Sequence, residues 1–195
     1  TMQFNGGLNA TLTPGGTNFY HVVINKTGGA VVTLGGNASA SGDFKILGGT
    51  LTAVGTQQIS VGGNWDNTNG TFNAASSTVT FNGSSGTQQL ISGGASNGKQ
   101  FYNLYYIGTS TLQVGANDLL VQNQLRIASG ASRFDAATST QNIAVNGDVE
   151  IDGGAISLGA STWTVAGNWD FNADGINLKT SGSTLILSGA NKAFR

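Results

Sequence analysis

The chain has no cysteine, one proline, one histidine and very little charge in 195 residues. Without cysteine there are no disulfides and no thiolate-held metals. His21, standing alone, excludes a histidine metal cluster, and between Tyr20 and Val22 it reads as a surface or ladder residue rather than a base. One proline and no Gly-x-y period exclude a proline-rich linker and collagen. Charged residues make up 9% of the chain, against about 25% in an average domain. The eight basic residues are scattered, so no patch exists that could displace the counterions of a nucleic acid. No run of 18 or more apolar residues is present, which excludes a spanning helix. Thr1-Met2 opens without a charged-then-apolar leader, so the chain is expected to be a mature or excised piece.

Glycine is what the chain has in excess: 31 residues, roughly twice average usage. The remainder is dominated by Thr, Ser, Asn, Ala, Val, Leu and Ile, with 38% hydrophobic residues overall. That mixture suits short strands punctuated by glycine corners, not disorder. Within the strands the alternation is clean. Phe44 and Ile46 take one side while Asp43 and Lys45 take the other, and Val149 and Ile151 repeat the pattern. No stretch carries a helical period, and glycine falls too often to allow one.

The chain also repeats itself. Gly42-Asp43-Phe44, running on to Gly63-Asn64-Trp65-Asp66, returns as Gly147-Asp148-Val149, running on to Gly167-Asn168-Trp169-Asp170. Ser77–Gly83 returns as Ser183–Gly189, and Phe19-Tyr20 as Phe101-Tyr102. Between the last pair of landmarks and the first, the second copy carries an extra 23 residues, the length of one added coil. Self-similarity of this kind predicts an all-β parallel β-helix (a β-solenoid) with about eight coils of three short strands. It is expected to form a single unit over 1–195, built of two imperfect modules, about 19–100 and 101–193, with partial repeats at both ends.

Strings such as Gly49-Thr-Leu-Thr, Val61-Gly-Gly-Asn-Trp-Asp, Gly70-Thr-Phe-Asn-Ala and Ser77-Thr-Val-Thr-Phe-Asn-Gly resemble the repeats of large bacterial surface and secreted proteins, the adhesin-like β-helices of filamentous-haemagglutinin type. The resemblance implies an extracellular, cell-surface structural or adhesive role and transfers no catalytic residue. Expected partners are further copies of the chain stacked head to tail, flanking repeats of a longer chain, or surface glycans. No cofactor is implied.

Few residues invite chemistry. Asp148, Glu150 and Asp152 put three carboxylates on one strand face, a weak calcium-site candidate. The matching positions in the first copy are Asp43, Lys45 and Leu47, which favours a solvated outer face and argues against catalysis. Trp65 and Trp169 are candidates for stacking on sugar rings, or else core and corner packing residues. Tyr102, Tyr105 and Tyr106 form an aromatic patch in which one of the adjacent pair must face outward. Met2, Phe4 and Phe194 are candidates for end-to-end assembly, because open coils expose unpaired backbone and apolar side chains. Thr-x-Thr pairs at Thr11, Thr50, Thr78 and Thr162 are spaced too unevenly to form an ice-binding face. The leading expectation is a non-enzymatic structural module of a fibre, stalk or adhesin; the alternative is carbohydrate binding through outward aromatics.

Overall fold

The structure, a computed structural model, describes residues 1–115, 117–137, 140–174 and 176–195. The chain winds as a parallel β-solenoid with three faces, and no helix occurs among the described residues. Every strand pairing is parallel, and partners lie about one coil apart, from 19 residues (Val31 facing Thr50) to 25 (Trp65 facing Leu90). The expected fold class is therefore the observed one.

The first face is a nine-stranded sheet that runs the length of the molecule, from Met2–Gly6 through Phe44–Gly48 and Trp65–Asp66 to Asn177–Lys179. Nine strands make eight steps, so at about 4.8 Å per step the rod is roughly 40 Å long. The second face begins as a four-stranded sheet, Ala10–Leu12, Val31–Leu34, Thr50–Thr52 and Thr71–Asn73. The third starts at Asn18–Phe19 and passes through Thr78–Phe81 to Phe101–Tyr106 and the long strand Leu119–Ile127. That long strand turns a corner and forks the sheet. Its first part pairs with Ile143–Val145 and its last part with Asp148–Ile151, which restores three faces to the C-terminal coils.

Alternation decides what lies inside. Inward residues stack into ladders along the axis, such as Ala40, Val61, Phe81, Tyr106, Ile127 and Ile151. All six are buried, and the contiguous core they belong to extends over almost every coil. Burial at about 25 cal/mol per Å² is the main stabilising term, since outer-face charges are few.

Corners are set by close approach. A Cβ built on Gly63 would stand 2.5 Å from the carbonyl carbon of Gly42, and one on Gly167 would overlap that of Gly147. Stacked corners therefore require glycine because backbone lies directly on backbone, which explains much of the glycine excess. Beside these glycines runs a side-chain stitch. The Asn64 amide donates to Asp43 Oδ1 (2.9 Å), the Gln89 amide to Asn64 Oδ1 (2.8 Å), and the Asp43 amide to His21 Nδ1 (2.7 Å). The Asn168 amide likewise donates to Asp148 Oδ1 (2.7 Å) and the Ala193 amide to Asn168 Oδ1 (3.2 Å).

The two copies of the stitch occupy different faces. Trp65 pairs with Phe44 in the nine-stranded sheet, whereas Trp169 pairs with Val149 in the eleven-stranded assembly. The sequence offset thus preserves the corner, not the side of the rod.

Gly63→Ala is expected to lower stability by about 1–3 kcal/mol, the usual range for overpacking. Gly36→Ala, where an added Cβ meets only ordinary contact at 3.9 Å, should change it by no more than about 0.5 kcal/mol. Denaturant midpoints measure both; equal values for the two variants would refute the corner constraint.

Candidate functional site

Trp65, Trp169 and Tyr106 do not form a contact surface. All three are fully buried, because alternation places them in inward ladders: Trp65 between Phe44 and Leu90, Trp169 between Val149 and Phe194, and Tyr106 between Phe81 and Ile127. Trp65 stacks on Phe44 with centroids 5.3 Å apart and meets Phe72 edge-on at 5.2 Å. Trp169 meets Trp163 edge-on at 5.6 Å and stacks on Phe194 at 6.2 Å. Neither the Trp65 nor the Trp169 indole N–H finds a partner among the described residues. These rings are held by apolar packing, each such aromatic pair adding about 0.5–1.5 kcal/mol beyond area burial. Tyr106 donates its hydroxyl to the Ser110 carbonyl, and burial pushes its pKa above the ordinary value.

Tyr105 and Tyr102 do face outward. The Tyr105 hydroxyl donates to Gln124 Oε1 on the next coil (2.6 Å), within a row of outward side chains. Among the described residues the Tyr102 side chain has no hydrogen-bond partner and no ring contact. It lines a groove of about 240 Å³ together with Phe72, Asn73, Ala75, Asn97, Gln100 and Gln122.

The three carboxylates of the calcium candidate are each engaged elsewhere. Asp148 Oδ1 accepts the corner amide of Asn168, and Glu150 lies 3.8 Å from Arg126 Nε. Asp152 accepts from Arg126 Nε (2.7 Å) and Nη2 (2.6 Å) and from Asn172 Nδ2 (2.8 Å). The Arg126 guanidinium pairs with two of the three, Glu150 and Asp152, which is no environment for a divalent cation. Among the described residues no three His, Asp or Glu side chains gather as a metal site.

Burial opposes ionisation of Asp152, but the hydrogen bonds from Asn172 and Arg126 outweigh it and hold its pKa below the ordinary 3.8. Asp43 is lowered in the same way, with burial opposed by the Asn64 amide and by Lys45 at 3.0 Å.

Sequence reasoning missed the polar side chains that brace irregular coils. Gln88 is buried, donating to Val61 O (2.7 Å) and Gly63 O while accepting from the Gly83 amide (3.2 Å). Lys99 turns its ammonium into the corner below, onto the carbonyls of Asn67 (2.5 Å), Thr68 (3.0 Å) and Gly70 (2.6 Å); burial lowers its pKa. Only the interruption of strand pattern at 92–100 hinted that a brace was needed there.

No helix of the described residues is long and apolar enough to cross a membrane. Comparison with known proteins finds no matching family model, no matching curated protein and no matching solved structure.

Carboxylates whose pKa is depressed on folding stabilise above their unfolded value and lose that contribution as pH falls through the folded one. Stability should therefore hold down to about pH 4 and decline below it, through the window under the 3.8 of free aspartate. Asp43→Asn keeps an acceptor for the Asn64 amide, as Asn64 and Asn168 already do at their corners. It should stay within about 0.5 kcal/mol of the parent at pH 7, whereas Asp43→Ala should cost about 1 kcal/mol. Thermal melts between pH 7 and pH 2 measure this, and equal losses in the two variants would disprove the stitch.

Proposed function

We propose that this chain is a structural module of an extracellular fibre, stalk or adhesin, in which further coils continue the ladders at both ends. One observation carries the reading. Inward ladder positions are fully buried in the middle coils but half-exposed in the terminal ones. Phe4 at one end and Leu178, Leu185 and Leu187 at the other pack against the core from one side only. Met2 is 37% exposed and Phe194 51%. Each end also offers an open row of strand backbone, which templates parallel addition.

The mechanism is mechanical. Backbone ladders along the axis hold every coil to its neighbours, and an outer face of Thr, Ser, Asn and Gln tolerates solvent. A second copy docked head to tail continues the same geometry through a heterologous contact that does not close on itself, which yields filaments. Flanking repeats in a longer chain would cover the same edges. The resemblance to adhesin-like repeats agrees with both.

Sedimentation velocity and electron microscopy over a wide concentration range separate the two arrangements. Head-to-tail stacking predicts linear oligomers that grow with concentration and are lost in the Phe4→Asp, Phe194→Asp double variant. A strictly monomeric species at high concentration would eliminate self-stacking. The flanking-repeat arrangement then predicts that extending the chain by neighbouring repeats slows hydrogen exchange in Met2–Gly6 and Thr184–Leu187. No change in that exchange would sink the structural reading as a whole.

A further inference from the structure

The second face is interrupted once, and a groove opens there. Its first four strands end at Thr71–Asn73. The next pass, residues 92–100, contains no strand: Gly93 and Gly98, both at φ +83°, turn the backbone away from the regular path. The Phe72 amide reaches across to Gly98 O (2.7 Å), as does Asn67 Nδ2 (3.0 Å), and Lys99 ties the loop to the corner below. Regular pairing resumes at Phe101 facing Val121, but the ladder then slips by one residue, so that Asn103 faces Gln124. That slip leaves two consecutive side chains, Tyr102 and Asn103, outside the core, as irregularities that re-aim side chains commonly do.

Tyr102 therefore stands part-exposed in the groove, its hydroxyl without a partner among the described residues, unlike Tyr105, which is tied to Gln124. Around it are amides with unused capacity. Asn73 donates through Nδ2 to Thr52 Oγ1 (3.3 Å), which leaves its carbonyl oxygen free. Gln122 accepts through Oε1 from Asn146 (3.0 Å), which leaves its NH2 group free. Gln100 donates to Ala95 O at 3.4 Å and keeps its own carbonyl. On the rim Ala75 holds a left-handed backbone, φ 47°, a strained conformation for a residue with a side chain and one that clusters at ligand clamps. Among the described residues no charged side chain lines the groove; the nearby Lys99 ammonium is spent on the corner carbonyls.

We propose that this groove binds one ring of a neutral polysaccharide. The Tyr102 ring takes the apolar face of a pyranose, while Asn73, Gln100 and Gln122 present acceptors and a donor to its hydroxyls, which both give and receive hydrogen bonds. A volume of about 240 Å³ lies below the roughly 300–1,000 Å³ of pockets that enclose a drug-sized ligand. One ring is therefore contacted and the chain continues into solvent. The absence of charge in the lining selects against uronic and sialic acids. A subsite that contacts one ring binds weakly by itself, and repetition along a fibre would raise the avidity.

The test is titration of the whole 15N-labelled protein with maltohexaose, cellohexaose and mannohexaose, and with oligogalacturonate as the anionic probe. Expected are amide shift changes confined to 72–75, 97–102 and 122 with at least one neutral sugar. Tyr102→Ala should weaken that sugar at least tenfold; Tyr102→Phe, which keeps the ring, should weaken it only a few-fold. Tyr20→Ala, on another part of the surface, should have no effect. If Tyr102→Ala fails to fold, Gln122→Ala takes its place with an expected loss of several-fold. The proposal is overturned if no neutral sugar shifts these amides, if oligogalacturonate binds best, or if Tyr102→Ala or Gln122→Ala binds as the parent does. It stands apart from end-to-end assembly: Phe4→Asp should leave the sugar-induced shifts intact, and Tyr102→Ala should leave sedimentation unchanged.

Discussion

Everything in this molecule follows from stacking one coil directly on the last at the spacing of a parallel backbone ladder, about 4.8 Å. That spacing leaves no room for a side chain where the path bends, so corners become glycine over glycine, Gly42 under Gly63 and Gly147 under Gly167. It also brings like positions into line, so that apolar residues form continuous interior columns and a corner Asp or Asn can always reach the amide one coil above. The chain needs neither disulfides nor helices for this. The repeated contact between neighbouring coils supplies the stability, in the manner of other solenoids.

Polar groups are used sparingly within the frame, and mostly where the winding departs from regularity. Lys99 braces the stretch in which the second face loses its strand, and Gln88 ties the corner carbonyls of Val61 and Gly63 to the Gly83 amide one coil on. Arg126 spans to Asp152 on the following coil near the fork of the long strand. Surface ion pairs of this type contribute little individually. Their value lies in fixing which carbonyl or carboxylate sits beside which, where the ladder alone no longer dictates it.

The architecture was legible because its two signals, alternation and repetition, are local. Phe44, Ile46, Val149 and Ile151 point inward as their spacing requires. The candidate site was harder to read. For Tyr105 and Tyr106 adjacency shows that one is outside, but which one depends on the phase of the strand after the slip at Phe101/Asn103, and no pair of residues encodes that slip. Trp65 and Trp169 share a motif whose meaning is a corner, and the residue after a corner begins an inward column whatever its chemistry. The Tyr102 groove depends on residues from three successive coils, a juxtaposition the linear sequence does not display.

The Gly-Asn-Trp stitch at 63–65 and at 167–169 also has a consequence for surfaces. Because the same corner serves on different sides of the rod, copies of it do not line up along one edge. In a longer array whose repeats keep this offset, equivalent lateral features would wind around the axis, turned by one face of three from copy to copy. A fibre built this way displays its surface in a spiral and can be approached from every direction.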